Sequence, residues 1–274
     1  VKSAFLNGPL DEEVYIQQPP GYEVIGSGDK DGIVMHQKNY IKEVLKRFDM
    51  DQCYKVDIPV EGNLKLDTGD HEASVDATLF KQLVGCLRFV YHNRPKISYG
   101  VGLVNIFMSN PKQSHLAIAK RILRYLKGTL NYGIFFPHQK EKDELYLVAY
   151  SDSDWFRDKV ERRSTSTEYI SACSAACQAL WILSLISKLN MKTDDFVELQ
   201  VDNKSTIDLA RNPMSHGRSK HIETKFHFLR DQVNKGRIRL KHCGTDLQLA
   251  YIMTKELKAD RFKLLRNMLG VVHI

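Results

Sequence analysis

Two apolar stretches of this chain each run straight into an aspartate. Leu145-Tyr-Leu-Val-Ala149 leads through Tyr150-Ser151 to Asp152, and Leu199-Gln-Val201 leads directly to Asp202. Short apolar runs of this kind read as buried strands. A carboxylate at the end of a buried strand is costly to leave without a cation or a donor. Between the two runs, Thr167-Glu168-Tyr-Ile opens a long apolar helix. Two strand-end aspartates and one helix-borne glutamate can converge on divalent cations, as two-metal phosphodiester chemistry requires. Each acid also has a plainer reading. Asp152 is a common type of turn residue, Glu168 is favoured in a first helical turn by the helix dipole, and Asp202 can cap the next helix. Asp154 reads as a turn or capping residue.

Composition narrows the class without naming it. The chain has 274 residues, 43% hydrophobic and 27% charged, which is ordinary for a globular protein and enough for two domains or one large one. No run approaches the roughly 20 apolar residues of a membrane span; the longest candidate, Ile182 to Leu189, is broken by Ser184, Ser187 and Lys188. No membrane is expected as a partner. The start carries no basic-then-apolar export segment, and Val1 in place of methionine reads as an excerpt of a longer frame. Five irregularly spaced cysteines give no disulfide framework and suit a reducing, intracellular compartment rather than secretion. Cys173 and Cys177 lie one helical turn apart. No further ligand follows at finger spacing, so buried filler is preferred over zinc. A net charge of +7 is compatible with a polyanionic partner but does not prove one.

Along the chain the pattern changes once. Residues 1–30 are loop-rich, with Pro9, Pro19 and Pro20. Helical spacing follows at Tyr40–Phe48, with Ile41, Val44, Leu45 and Phe48 on one face, then at about 77–93, 97–109 and 114–128, separated by Pro95 and Pro111. In the last of these, Leu116, Ala119, Ile122, Leu123 and Leu126 form an apolar arc opposite Lys120, Arg121, Arg124 and Lys127. That basic arc is either a phosphate-tracking stripe or a solvated face. From about 131 strands take over: 131–136, 145–150, 196–201 and 237–242, with helices at 167–190, 203–211, 221–235 and from 259. From about 131 onward we expect one α/β layer, with strands 145–151 and 196–202 adjacent.

Several motifs, in order, resemble the reverse transcriptase–ribonuclease H part of a copia-type LTR retrotransposon polyprotein. Val1-Lys-Ser-Ala-Phe-Leu-Asn-Gly8 and Val14 to Tyr22 resemble the start of the polymerase fingers and palm. Gln37 to Phe48 resembles the segment after the palm, and Leu83-Val-Gly85, Arg94-Pro95 and His115 to Thr129 resemble the connecting region. Tyr150 to Trp155, Val201 to Lys204, His216 to Ile222 and Thr254-Lys255 match the ribonuclease H domain. The resemblance implies an α/β fold class: a helical connecting region followed by an incomplete ribonuclease-H-like domain. It divides the chain into a fingers/palm remnant at 1–30, a mostly helical polymerase C-terminal and connecting region at 31–137, and a nuclease-like domain at 138–274. It implies Asp152, Glu168 and Asp202 as catalytic metal ligands for Mg²⁺, with Mn²⁺ as a substitute, and an RNA–DNA hybrid as partner in a cytoplasmic particle or nucleus. On the basic helix faces, Lys120, Arg121, Arg124 and Lys127, then Arg218, Lys220, Lys225 and Arg230, are candidate phosphate contacts that read equally as solvated helix surface. His221 and His227, six residues apart on that helix, face different directions and make no metal pair.

Departures from the family pattern set expectations about activity. The polymerase's Tyr-x-Asp-Asp turn is missing from all 274 residues. Asp152 and Glu168 are sixteen positions apart, where the family places further strands of about 5–6 residues each. Arg157 to Arg163 shows no apolar alternation that would form them. Where the family carries a fourth acidic ligand, this chain has Tyr251, a phenol with a pKa of about 10 and a poor ligand for hard cations. Three readings are open on these residues: a remnant without efficient catalysis, a residually active nuclease, or a noncatalytic nucleic-acid-binding module.

Overall fold

The computed structural model describes residues 32–61, 71–137, 145–153, 165–189, 191–211 and 220–274. The 1–30 segment, Asp154, the Arg157–Arg163 stretch and Arg218 lie outside these, as do the side chains of Lys220, His221 and Lys225.

The chain builds two cores. The first gathers α1 (Lys38–Arg47), α2 (Ala77–Tyr91), a 3-10 turn at Pro95–Ile97, α3 (Ser98–Asn105) and α4 (Gln113–Gly128). Local chemistry sets their ends. The Asp76 carboxylate accepts from the backbone N–H groups of Thr78 and Leu79 at 2.8 and 3.3 Å, a cap that starts α2. Pro95 begins the 3-10 turn, where its missing N–H costs nothing. The apolar arc of α4 faces the core as expected: Ala119, Ile122, Leu123 and Leu126 are buried and Leu116 partly so.

The basic arc of α4 turns out to hold the loop that precedes α2. Arg121 pairs with Glu61 at 2.5 Å. The Arg124 guanidinium lies 4.6 Å from the Tyr54 ring centroid, and Lys127 donates to the Cys53 carbonyl at 2.7 Å. Three of the four arginines and lysines thus tether residues 53–61, while Lys120 is exposed.

Beside this core lies a three-stranded antiparallel sheet, β2 (Tyr132–Pro137) flanked by β1 (Gly32–Met35) and β6 (Val271–His273). The strand at 131–136 therefore does not join the α/β layer. It pairs with two strands too short to show a period: Met35 and Val271 both register against Ile134. Ile33–Val34 and Val271–Val272 carry no pattern that separates them from loops.

The second core is the α/β layer. β3 (Leu145–Ser151), β4 (Thr193–Val201) and β5 (Ile238–His242) form an all-parallel sheet in that order. Parallel neighbours need crossovers. Here α5 (Thr165–Lys188) connects β3 to β4, and α6 (Lys204–Arg211) with α7 (Lys220–Asn234) connects β4 to β5. Val197, Leu199, Val201, Ile238 and Leu240 pack against Tyr169, Ala172, Ala176, Leu180 and Leu183 of α5. Among the described residues the sheet has these three strands, which is consistent with the partial ribonuclease-H-like sheet the motifs imply. Adjacency of the strands ending at 151 and 201 holds, with Ser151 opposite Val201.

Two sequence expectations change on α5. Its Thr167–Lys188 stretch of 22 residues, mean hydropathy 1.6, is long and apolar enough by length and composition to cross a membrane, because its charges, Glu168 and Lys188, sit at the two ends and the serines between lower hydropathy little. One face of the helix packs on the sheet through Tyr169, Ala172, Ala176, Leu180 and Leu183, while Trp181, Ile182 and Leu185 are exposed. Cys173 is buried in that contact, as filler should be, but Cys177 is exposed.

The chain's end returns to the first core. After β5, α8 (Tyr251–Thr254) and α9 (Ala259–Met268) contribute Tyr251, Ile252, Phe262 and Leu265 to the helical core. Phe262 meets Tyr125 edge to face at 5.6 Å between ring centroids.

This core also encloses two cationic side chains. Arg94 and Lys96 are each 1% exposed, and none of their side-chain nitrogens has a hydrogen-bond partner among the described residues. Burial, with Arg94 and Arg266 nearby, pushes the Lys96 ammonium down from 10.5 to about 6. The unfolded chain therefore binds one more proton than the folded chain between these values. Stability is lost as pH falls from 10.5 toward 6, and the loss is complete below it. Lys96→Met should stabilise the protein at neutral pH by about 1–4 kcal/mol, because methionine fills the dry site without the proton that the lysine must release on folding. It should also flatten the rise in melting temperature between about pH 7 and about pH 9. Thermal melts of both proteins at the two pH values check this; an unchanged slope in the variant would remove Lys96 as its source.

Candidate metal centre

Parallel register brings the acids together. Ser151 and Val201 are paired across β3 and β4, so the next residues, Asp152 and Asp202, leave the sheet side by side at the same end. Glu168 sits in the first turn of α5, the helix that packs across both strands. Ligand atoms of Asp152, Glu168 and Asp202 all lie within 4.8 Å of one another.

The plainer readings can now be decided. Asp202 does not cap α6: the Asn203 side-chain oxygen accepts from the Thr206 N–H at 3.2 Å and does so instead. Asp152 is no solvated turn residue, since its side chain is 1% exposed. Glu168 keeps both roles, a first-turn acid that also faces the two aspartates.

Three like charges this close repel, and the surroundings record it. Burial raises the Asp152 carboxyl above its ordinary value; Thr254 and Lys255 oppose that shift, and Asp202 adds to it. Burial likewise raises Glu168, with a hydrogen bond from Ser153 opposing and both aspartates adding. These are the shifts expected where desolvated carboxylates share one charge-poor space.

Donors from the segment after β5 cover the aspartates. Tyr251 donates its hydroxyl to Asp202 Oδ2 at 2.6 Å, and burial together with that acceptor raises the phenol's pKa. Thr254 donates to the other aspartate, Asp152 Oδ2, at 2.5 Å. Lys255 Nζ stands 3.1 Å from Asp152 Oδ1 and 3.7 Å from the Tyr251 ring centroid. Gln248, fully buried, fixes the segment by donating to the Ser151 carbonyl at 3.0 Å. The sequence singled out Tyr251 for its position. It gave Gln248 no role, and it carried Thr254 and Lys255 only as part of a motif. The signal available was their spacing: Tyr251 and Thr254 are three apart and so share a helix face.

The donor set determines what this cluster can hold. Three carboxylates offer the hard oxygen ligands that Mg²⁺ or Mn²⁺ takes. Asp202 Oδ1 is buried with no hydrogen-bond partner among the described residues, an acceptor left open. The set fits one cation. Beside it, the Tyr251 hydroxyl is already committed to Asp202 and adds no charge to the cluster. The ammonium of Lys255 competes with any cation for Asp152. Lys255→Met should therefore tighten Mn²⁺ binding about fivefold, the loss of about 1 kcal/mol of ion pairing, while Asp152→Asn and Asp202→Asn should each weaken it. Mn²⁺ titration followed by electron paramagnetic resonance reads all three; equal affinity across the set would place the cation elsewhere.

Arg230 donates to the Leu209 carbonyl at 3.4 Å, joining α7 to α6, and His227 is exposed on α7.

Known proteins align with nearly all of this chain. The retrovirus-related Pol polyprotein from transposon RE1 of Arabidopsis thaliana is 34% identical over 89% of the chain. The Pol polyprotein from transposon RE2 of the same plant is 31% identical over 89%, and that from transposon TNT 1-94 of Nicotiana tabacum is 27% identical over 93%. The chain spans about a fifth of the length of these relatives, 18% to 21%. No family profile matches it, and no solved structure matches it significantly. The chain is thus a relative of one region of copia-type, retrovirus-related Pol polyproteins of transposons.

Proposed function

We propose that this Pol segment is an internally shortened reverse transcriptase–ribonuclease H region. Residues 1–30 are the polymerase remnant, 31–137 the connecting region and 138–274 the nuclease-like domain. The single observation carrying this reading is the acidic cluster itself, Asp152, Glu168 and Asp202 within 4.8 Å at the strand ends of a partial ribonuclease-H-like sheet. Internal shortening is supported by the relatives. The tobacco protein aligns over 289 positions although the chain has only 274 residues, so it carries residues with no counterpart here.

In this reading the substrate is the RNA strand of an RNA–DNA hybrid. Asp152, Glu168 and Asp202 would hold a Mg²⁺ or Mn²⁺ ion. Such an ion supplies an activated water and charge neutralisation at the scissile phosphate. The chain's own groups restrict that chemistry. Tyr251 gives no charge at the fourth position and holds Asp202 by its hydroxyl. Lys255 and Thr254 hold Asp152, so both aspartates must exchange protein donors before they can act on a substrate. Among the described residues the sheet is three strands wide with β3 at its edge, where further strands would brace Asp152. Ligands displaced by even an ångström lose orders of magnitude in rate.

The function proposed is therefore that of a degenerate nuclease: hybrid binding with trace cleavage and no DNA synthesis. Purified protein should cut an RNA–DNA hybrid in Mg²⁺ or Mn²⁺ at least about a thousandfold more slowly than a complete ribonuclease H, the scale lost when electrostatic groups are removed. Tyr251→Asp alone should leave turnover far below normal. Cleavage at an ordinary enzymatic rate, abolished by Asp152→Asn, would show the site to be intact and the reading wrong.

A further inference from the structure

Away from the acidic cluster, the helical half carries a second polar concavity. A pocket of about 270 Å³ opens between the loop at residues 55–57, the end of α4 and the outer face of α9. Lys55, Lys263 and Arg266 line it together with Thr129 and Tyr132. The one carboxylate on its wall, Asp57, is already paired with Lys263 at 3.0 Å. Two of the three cations thus face the pocket without an acidic partner in its lining. Gly128 forms part of the wall beside Lys55 and Val56.

What lies behind the pocket adds to its charge. Tyr132 forms part of the wall. The Arg266 guanidinium carbon is 4.9 Å from its ring centroid, and the buried Lys96 nitrogen is 5.0 Å from the same centroid. Arg94 stands beside Lys96, also buried and with no hydrogen-bond partner among the described residues. Arg266 at the wall and the buried Arg94 behind it carry the charge that focuses a positive potential into this cavity, whereas Lys96, pushed down to about 6, is largely neutral at neutral pH. A basic pocket just below the usual range of small-ligand sites in volume suits a compact dianion or one unit of a polyanion.

We propose that this pocket binds a phosphoryl group, held by Arg266 and Lys55 with Lys263 at its rim. Arg266 supplies the planar fork that matches phosphate oxygens. The phosphoryl group is either one phosphodiester of a nucleic-acid strand or the phosphate of a free small molecule. The site is separate in residues from the acidic cluster, so it stands whether or not that cluster cleaves anything.

The test uses the whole chain and two probes, inorganic phosphate followed by calorimetry and a short labelled single-stranded oligonucleotide followed by fluorescence anisotropy. Both should bind, and phosphate should displace the oligonucleotide. Arg266→Gln and Lys55→Gln should each weaken both by about tenfold, the loss of one charge-assisted contact, whereas Lys235→Gln, an exposed lysine of α7 outside the pocket lining, should leave both unchanged. Lys55 is exposed, so its variant folds even where the arginine variant does not, and Arg266→Lys should recover part of the affinity. Phosphate binding without oligonucleotide binding keeps the site and assigns it to a free phosphate-bearing molecule. No phosphate binding, or affinities untouched by both glutamine variants, overturns the proposal. Loss of hybrid cleavage in Asp152→Asn with phosphate affinity intact would separate the two sites.

Discussion

The parallel register of β3 and β4 is the constraint on which the rest of this molecule turns. Strands paired Ser151 to Val201 must deliver Asp152 and Asp202 to one end of the sheet as neighbours. Two carboxylates leaving a sheet together cannot stay uncovered, since each favours cations or donors and raises the other's pKa. The segment after β5 answers that need with a phenol, a hydroxyl and an ammonium. The covering donors are protein groups, and for that reason the arrangement is self-sufficient in a way that a working metal centre is not.

The same segment joins the two cores. The Tyr251 ring is buried in the helical core while its hydroxyl reaches Asp202 in the α/β layer. Ile252, next along, is buried with α3 and α9 side chains in the first core. A single turn of helix therefore carries both apolar anchoring and carboxylate satisfaction. Any change at Tyr251 acts on packing and on the site at once, so the two effects must be separated by a variant that keeps the ring, such as phenylalanine. Such coupling is the ordinary cost of placing site residues on an element that also belongs to a core.

How much of this was legible in the sequence depends on range. Apolar runs ending in aspartate marked β3 and β4, and helical spacing marked α1 to α5 closely, because these signals are local and periodic. The convergence of Asp152, Glu168 and Asp202 also followed, once strand adjacency was assumed. The antiparallel sheet did not, since four residues at β1 and three at β6 carry no period. Nor did the tethering role of α4's basic arc, which depends on Tyr54, Glu61 and the Cys53 carbonyl, each more than fifty positions away. Lys96 was the least legible of all. Nothing in Arg94-Pro95-Lys96 announces that a lysine will lie in a dry core, and only tertiary burial reveals it.

The central claim is that the acidic cluster accommodates one cation. Anomalous scattering from crystals of the chain grown with Mn²⁺ measures this directly. A single peak among the carboxylates of Asp152, Glu168 and Asp202, with the Tyr251 hydroxyl outside its ligand sphere, is the predicted result. Two peaks bridged by those carboxylates, or none between them at a concentration where Mn²⁺ is shown to bind, would contradict it.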